Sequence, residues 1–277
     1  MSEQRTGPVA EIYPSFAEVP GRTGYNSEEY LRGLSAYCER RADELLAGDF
    51  PHSLQRNLQN NTLIAVAAQM LGRRRLRILD FGGGLGQSFV TLAAGIPDYE
   101  SRIEYSICDL ADTIAYAKAN DIYSPRGIRN VRFINEISEA KRCDLAYFGS
   151  VLQYVEDFDG LLASIFRLNP RMILVTQTPV VLKAPNFIIA QIKPDGSANA
   201  YRTYNLDWLV TAFTKGGYQL IGRASEFDSA GTTKFNHLPP EYHDYRRATL
   251  LLERLPMWGR LFGPKRTGKT RNAKTRA

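Results

Sequence analysis

The sequence predicts an α/β fold: a doubly wound sheet of seven strands, mostly parallel with an antiparallel last strand, preceded by N-terminal helices. Three observations support this prediction. From about Arg77 onward, short apolar runs alternate with segments of helical length, which is typical of β-α-β units and a parallel sheet. A glycine-rich turn joins the first of these runs to a helix. The last two runs follow each other without a clear helix between them, so the last strand is expected to run antiparallel.

Length and composition are those of one large domain with additional elements. The chain has 277 residues, of which 44% are hydrophobic and 23% charged, so disorder, collagen-like repeats and a coiled coil are excluded. We expect residues 1–72 to form an N-terminal arm and helical extension. Residues 73–254 form the α/β domain in this division, and residues 255–277 an amphipathic segment followed by a basic tail.

Two helices are predicted before the sheet. Residues 1–26 are rich in proline and glycine and indicate an irregular arm. Ser27 can then cap a helix with acidic residues in its first turn, and Gly48 ends the apolar periodicity of that helix. A second helix fits residues 53–71, where apolar side chains recur on one side.

Seven strands are predicted from the apolar runs that follow. They cover residues 78–81, 103–108, 131–134, 145–148, 172–175, 218–224 and 248–253. Helix-length segments separate the first five strands. A further helix is expected before the sixth strand, because Asn205 can cap its first turn and Gly216 and Gly217 end it.

The first strand leads into the most informative motif of the chain. It reaches Asp80, and Gly82, Gly84 and Gly86 follow before Gln87 opens a helix. Glycines let a backbone approach a ligand closely, and the N–H groups of a helix N-terminus suit a carboxylate or phosphate. A dinucleotide fingerprint would require a small residue where Gln87 stands. Tight packing alone is the alternative explanation of this turn.

The spacing acid-x-Gly-x-Gly-x-Gly resembles motif I of the class I S-adenosylmethionine-dependent methyltransferases. The resemblance continues to about residue 253, over roughly two-thirds of the chain. It implies a Rossmann-like fold, S-adenosylmethionine as cofactor, and cofactor contacts from Asp80, the three glycines and Gln87. More narrowly, the stretch LDFGGGLG at residues 79–86 resembles a family of uncharacterised methyltransferases associated with surface-polysaccharide gene clusters. Fold and family resemblances do not determine a substrate.

Polar residues also follow the second and third strands. Asp109 and Leu110 come after the second strand, and a carboxylate there can accept two hydrogen bonds from a ribose diol of S-adenosylmethionine or of NAD. The third strand ends at Asn135 and Glu136, where members of the family place a polar residue near the adenine amino group. Which of these two residues takes the role stays open.

The fourth strand and its exit are similar to the corresponding methyltransferase segment. The match combines Asp144 before the strand, the turn after it and Asp157 in register. It implies that Gly149 and Ser150 lie beside the cofactor sulfonium, with Tyr154 one helical turn further along. Tyr154 can equally be a core aromatic residue.

The connection between the last two strands is the first candidate for catalysis. Methyl transfer to a hydroxyl requires an aligned nucleophile and removal of its proton, and histidine titrates near neutrality. Residues 225–247 contain His237 and His243, so the hypothesis is that His237 is the general base, with His243 second. A surface-loop histidine is the alternative for each. Residues 176–204 are a second substrate-side candidate, with Arg202 able to meet a carboxylate or phosphate.

The net charge of +6 is concentrated at the C-terminus. Residues 265–277 hold six Lys and Arg and no acidic residue, and elsewhere 29 basic residues balance 29 acidic ones. The tail is interpreted as a solvated end, as a contact with anionic membranes together with residues 255–262, or as an RNA-binding segment. A specific nucleic-acid partner is not expected.

Cysteine usage and hydropathy indicate a soluble, cytoplasmic protein. Cys38, Cys108 and Cys143 are far apart and form no CxxC pair, no secretory signal is found, and no apolar stretch reaches membrane-spanning length. A peripheral contact with the inner membrane face is the alternative location. The three histidines have no zinc-ligand spacing, so no metal is expected.

The function predicted is O-methylation of a small molecule or glycan intermediate; the alternatives are an NAD(P)-dependent oxidoreductase and a non-catalytic cofactor-binding protein.

Overall fold

The computed structural model describes residues 11–21, 27–48, 58–72, 75–192, 197–227, 235 and 238–256. Ten strands and seven α-helices lie within these ranges. The strands are β1 (Ile12–Tyr13), β2 (Leu76–Phe81), β3 (Ile103–Cys108), β4 (Val131–Ile134), β5 (Leu145–Gly149), β6 (Met172–Val181), β7 (Phe187–Ile192), β8 (Ala198–Asn205), β9 (Tyr218–Phe227) and β10 (Arg246–Arg254). The helices are α1 (Glu28–Ala47), α2 (Leu58–Met70), α3 (Gln87–Gly95), α4 (Tyr99–Arg102), α5 (Ala111–Asn120), α6 (Phe158–Leu168) and α7 (Leu206–Lys215).

The central sheet has the predicted character. Its strands follow the order β4-β3-β2-β5-β6-β10-β9, in which β4 to β6 are parallel and β10 is antiparallel to both of its neighbours. These are the seven strands expected from the apolar runs, and β6, β9 and β10 are longer than expected. The predicted α/β fold, with a mostly parallel central sheet and an antiparallel last strand, is therefore confirmed, and the structure adds that this strand lies between β6 and β9.

Side-chain alternation along the strands gives the sheet an apolar layer on each face. Ile78 and Tyr147 pack with α1, α2 and α3 on one face. Leu79 and Phe148, one position away on the same strands, pack with α6 and α7 on the other face. The N-terminal helices are thus part of one hydrophobic core with the sheet.

The helix boundaries follow the predicted capping residues. The Ser27 hydroxyl accepts a hydrogen bond from the Tyr30 N–H at the start of α1, and Gly48 ends that helix in a left-handed conformation. The side chain of Asn205 accepts from the Trp208 N–H at the start of α7. Helix α2 begins at Leu58, and the first residues of its predicted range lie outside the described residues.

Three strands were not expected from the sequence, and they form an extension of the sheet. Strand β6 runs for ten residues, past the end of β5, and its last residues, Val180 and Val181, pair with Tyr204 and Asn205 of β8. Strands β7 and β8 form an antiparallel hairpin, and β1 pairs with β7. The segment expected to be a substrate-side connection is therefore largely a β-hairpin.

Two acidic residues on either side of β5 in the sequence have structural contacts. Asp144 accepts hydrogen bonds from the Arg77 Nε and Nη2 atoms, both at 2.8 Å, and from the Arg77 backbone N–H at 3.0 Å. This ion pair joins the amino ends of β2 and β5, opposite the glycine turn. Asp157 caps α6 by accepting from the Gly160 N–H at 2.9 Å. Among the described helices, none has the length and apolar character needed to cross a bilayer.

Candidate active site

A cavity of about 1090 Å³ lies at the carboxyl ends of the parallel strands. Its walls come from the turn after β2, the ends of β3, β4 and β5, the start of α1, and β8. In an open α/β sheet this edge is where ligands bind, beside the point at which the strand order reverses. The cavity therefore brings together residues that lie far apart in the sequence.

The glycine turn after β2 forms one wall of this cavity. Gly82 and Gly84 line it, and both have positive φ angles, 71° and 57°. A Cβ atom at Gly82 would collide with the side chain of Val151. Gly86 is not among the lining residues: its φ is 100°, and a Cβ there would overlap the Tyr123 hydroxyl. Gly86, expected to contact the cofactor, thus serves close packing in this structure.

Asp109 is held in place at the cavity wall by two backbone groups. Its Oδ2 accepts from the Gly84 N–H at 2.8 Å, and its Oδ1 accepts from the Leu110 N–H at 2.7 Å. Burial raises the pKa of Asp109, while these two hydrogen bonds and one from Thr113 act in the opposite direction. The carboxylate therefore links the end of β3 to the glycine turn, and both Asp109 and Leu110 line the cavity.

Asp80 is a buried carboxyl in the floor of the same cavity. It is 1% exposed, and its Oδ2 accepts a hydrogen bond from the Tyr105 hydroxyl at 2.8 Å. Burial raises the pKa of Asp80 to about 7; the Tyr105 hydrogen bond lowers it and the negative charge of Asp109 raises it further. Gln87, on the first turn of α3, also lines the cavity.

The structure places Asn135 and Glu136 differently. Asn135 lines the cavity. Glu136 is not among the lining residues, because its side chain caps the short 3₁₀ turn Ile137–Ala140 in a reciprocal arrangement with Glu139. Of the two candidates for the adenine contact, Asn135 is the one at the cavity.

The end of β5 contributes Gly149, Ser150 and Tyr154 to the lining. Ser150 adopts a left-handed conformation with φ 55°, which costs a non-glycine residue about 1–3 kcal/mol. Its N–H donates to the Thr176 carbonyl at 2.9 Å, and Gln153 Nε2 donates to its carbonyl at 2.7 Å and to its hydroxyl at 3.0 Å. These bonds hold Ser150 at the cavity against the backbone strain.

The N-terminal segment and β8 supply cavity residues that the sequence did not indicate. Tyr30, Leu34 and Tyr37 of α1 lie on the cavity, together with Phe16 before α1. These three residues are spaced four and then three positions apart, which puts them on one face of a helix. That spacing was the sequence pattern from which this face of α1 could have been predicted. Asn199 and Ala200 of β8 complete this side of the lining. No sequence signal marked these two, because their approach depends on how the hairpin folds back.

No family model matches the chain, and no curated protein matches it. Solved structures with a similar chain path include the [4+2]-cyclase SpnF, with 17% identity, coverage of 70% of this chain and 80% of that chain, and a TM-score of 0.47. Another is the 1,6-didemethyltoxoflavin-N1-methyltransferase of Burkholderia thailandensis with bound 1,6-didemethyltoxoflavin and S-adenosylhomocysteine (16% identity, 91% and 98% coverage, TM-score 0.47). A third is the glycopeptide N-methyltransferase MtfA complexed with S-adenosylmethionine (16% identity, 71% and 94% coverage, TM-score 0.46).

The structure describes only one of the two histidines proposed for catalysis. His237 lies outside the described residues. His243 does not line the cavity: its Nε2 is 2.7 Å from the Leu238 carbonyl oxygen, which can only accept, so this nitrogen is the N–H donor. Of the described residues of this connection, Phe235 and Tyr245 join Phe187 of β7 in an apolar cluster.

Arg202, from the second substrate-side candidate segment, is not among the residues that line the cavity, but it contacts one of them. Its guanidinium stacks over the Phe16 ring at 4.8 Å and donates to the Glu156 carbonyl at 3.3 Å. Within the described ranges, no group of three or more His, Cys, Asp or Glu side chains is arranged to hold a metal ion.

Proposed function

We propose that this chain is a methyltransferase that uses S-adenosylmethionine and methylates an oxygen atom of a small molecule or glycan intermediate. The observation that carries the proposal is the position of two carboxylates and the glycine turn on one cavity. Asp80 and Asp109 reach it from the neighbouring strands β2 and β3, and Gly82 and Gly84 of the turn after β2 line the same cavity. This donor set fits an adenosyl group with a diol at one end and a cationic amino-acid moiety at the other.

Each polar group on this side of the cavity has a proposed role. The Asp109 oxygens each accept one backbone hydrogen bond and keep further acceptor capacity, so they can take the ribose hydroxyls. Asn135 would accept from the adenine amino group. Asp80 would pair with the ammonium of the amino-acid moiety, since a buried carboxylate is stabilised by an opposite charge. Ser150 would lie next to the reacting centre.

When bound, S-adenosylmethionine supplies a methyl group activated by a sulfonium. The chain must hold the acceptor oxygen in line with that group, exclude water and take up a proton. We retain His237 as the proposed base, because His243 is committed to the Leu238 carbonyl. The variant His237→Ala should lower the turnover rate and alter its pH profile without changing cofactor affinity. Unchanged turnover across pH would eliminate His237 as the base.

An NAD(P)-dependent oxidoreductase is the competing proposal, because Asp109 could bind its ribose equally well. Two observations disfavour it. Gln87 occupies the position of the third fingerprint glycine and lines the cavity. The antiparallel strand β10 between β6 and β9 also departs from the parallel strand order of dinucleotide-binding sheets.

Isothermal titration calorimetry with S-adenosylhomocysteine and with NAD⁺ tests the proposal. We expect the wild-type protein to bind S-adenosylhomocysteine and not NAD⁺, and Asp109→Ala to weaken that binding at least tenfold. Asp159→Asn, an exposed acid on α6, is the matched control and should bind like the wild type. Binding of NAD⁺ without any response to S-adenosylhomocysteine would overturn the assignment. Cofactor binding without methyl transfer to any component of a cell extract would favour a non-catalytic cofactor-binding protein.

A further inference from the structure

Asn199 on β8 has a buried side chain at the wall of the cavity. It is 4% exposed, it lines the cavity, and its Nδ2 atom has no hydrogen-bond partner among the residues that the structure describes. Buried polar groups are almost always paired, since leaving one unpaired costs free energy. An unpaired amide at a ligand cavity therefore points to a ligand that supplies the missing partner.

The order of the strands places Asn199 at the end of the cavity remote from the proposed adenine site. Along the sheet, the lining passes from Asn135 after β4 to Asp109 after β3, the glycine turn after β2 and Ser150 after β5, and then beyond β6 to β8. The proposed cofactor contacts occupy the stretch from β4 to β5. The β8 end remains for the methyl acceptor.

Aromatic side chains line the cavity at this end, near Asn199. Phe16 packs against Ala200 of β8, and Tyr154 donates a hydrogen bond of 2.8 Å to Gln191, the residue opposite Asn199 on β7. The charged residues of the described lining are Asp80 and Asp109, both among the proposed cofactor contacts, and that lining has no Lys, Arg or His. Arg202 stacks over Phe16 and donates to the Glu156 carbonyl rather than lining the cavity, so the described lining offers an acidic group no cation, while its aromatic side chains suit a flat ring.

We propose that Asn199 is a specificity-determining residue, and that its amide donates a hydrogen bond to a carbonyl-type oxygen of an uncharged aromatic acceptor. The inference rests on the proposed function and narrows its substrate class from small molecules and glycan intermediates to aromatic small molecules. The aromatic side chains would enclose the ring of the acceptor, and Asn199 would determine which way the ring lies relative to the sulfonium.

A pair of phenols that differ in one carbonyl oxygen tests this inference. Binding of 4-hydroxyacetophenone and of 4-ethylphenol to the protein saturated with S-adenosylhomocysteine would be measured by calorimetry, with methyl α-D-glucopyranoside as the sugar probe. We expect the ketone to bind about tenfold more tightly than 4-ethylphenol, the size of effect that one hydrogen bond gives. The sugar should not bind.

Two variants on the same strand separate recognition from packing. Asn199→Ala should bring the ratio of the two affinities close to one and leave S-adenosylhomocysteine affinity unchanged. Thr203→Val is the matched control: Thr203 is fully buried on β8 with an unpartnered hydroxyl and does not line the cavity, so the ratio should persist.

The outcomes distinguish this inference from the proposed function. A preference for the ketone that survives in Asn199→Ala, or that disappears in both variants, would overturn the role of Asn199. If the protein binds S-adenosylhomocysteine but neither phenol, or prefers the glucoside, the acceptor class is wrong and the proposed function stands. If S-adenosylhomocysteine itself does not bind, the proposed function fails, and the inference fails with it.

Discussion

The hydroxyl of Tyr105 donates a hydrogen bond of 2.8 Å to the carboxyl of Asp80, and both side chains are buried beneath the cavity. The two residues lie on the adjacent parallel strands β3 and β2. Burial raises the pKa of Asp80 to about 7 and raises the pKa of Tyr105 well above its ordinary value. The ligand-free site thus contains a carboxyl group that changes its charge close to neutral pH.

The stability of the ligand-free protein should depend on this carboxyl. An unfolded Asp ionises near pH 4, whereas Asp80 in the folded protein ionises at about pH 7, so the folded state holds the proton more strongly in between. The free energy of unfolding should therefore fall as the pH rises from 4 to 7, by about 2 kcal/mol from this group between pH 5.5 and 7.5. Urea unfolding at several pH values measures it. The Asp80→Asn variant should lack this decrease, and an equal decrease in wild type and variant would contradict the assignment.

Cofactor affinity should show the opposite pH dependence. In the proposed function Asp80 pairs with the ammonium of the cofactor, and this pairing would require the ionised form of Asp80, which becomes the major form above about pH 7. Calorimetry should show affinity that rises from pH 6 to pH 8 in the wild type and changes little in Asp80→Asn. A wild-type affinity that is constant over this range would show that Asp80 does not meet the ammonium.

The packing role of Gly86 predicts a loss of stability on substitution. Gly86→Ala places a Cβ against the Tyr123 hydroxyl at a φ of 100°, so the free energy of unfolding should fall by more than about 1 kcal/mol. Gly33→Ala is the control, because Gly33 lies inside α1 with nothing within 4 Å of an added Cβ, and there alanine should stabilise by up to about 1 kcal/mol. Thermal unfolding followed by circular dichroism compares the two. Equal effects of the two variants would rule out the packing role.

The Arg77–Asp144 pair should contribute to stability and leave ligand binding unchanged. Burial alone raises the pKa of Asp144, but its hydrogen bonds with Arg77 lower this pKa overall. The pair therefore stabilises the folded state above pH 4, and this stabilisation is lost as the pH falls through the lowered pKa. Because both side chains are about one-third exposed, Asp144→Asn should cost only about 1 kcal/mol at pH 7. A double-mutant cycle with Arg77→Gln measures the coupling. Reduced affinity for S-adenosylhomocysteine in Asp144→Asn would assign the residue to the site instead.

Local chemistry made much of the fold predictable. Ser27 and Asn205 cap their helices as expected, because a capping hydrogen bond joins residues three positions apart and needs no tertiary contact. Strands β2, β3, β5 and β6 were recognisable because each contains a short apolar run that is largely buried on both faces of the sheet. Strand β8 was not: its sequence, ANAYRTYN, has no such run, and its partners on β6 and β7 determine its place in the sheet.

The residues of the candidate site likewise fall into those that the sequence motifs indicated and those that only tertiary contacts placed. Motif spacing indicated the residues at the ends of β2 to β5, because the carboxyl ends of parallel strands must share one edge of a sheet. It did not separate Asn135 from Glu136, since the difference is a capping contact between Glu136 and Glu139. It also did not indicate that Asn199 lines the cavity, or that His243 is held by Leu238.

The chemistry of individual strand ends, helix caps and glycines was thus readable in the amino-acid order, because each depends on residues close together in the chain. The β8 side of the cavity was decided by the tertiary structure. Phe16 and Asn199 lie 183 positions apart in the sequence, and they share one cavity because β1 pairs with β7, β7 pairs with β8, and β8 pairs with the end of β6. Long-range pairing of this kind leaves no local pattern, since the partners of each residue are supplied by other parts of the chain.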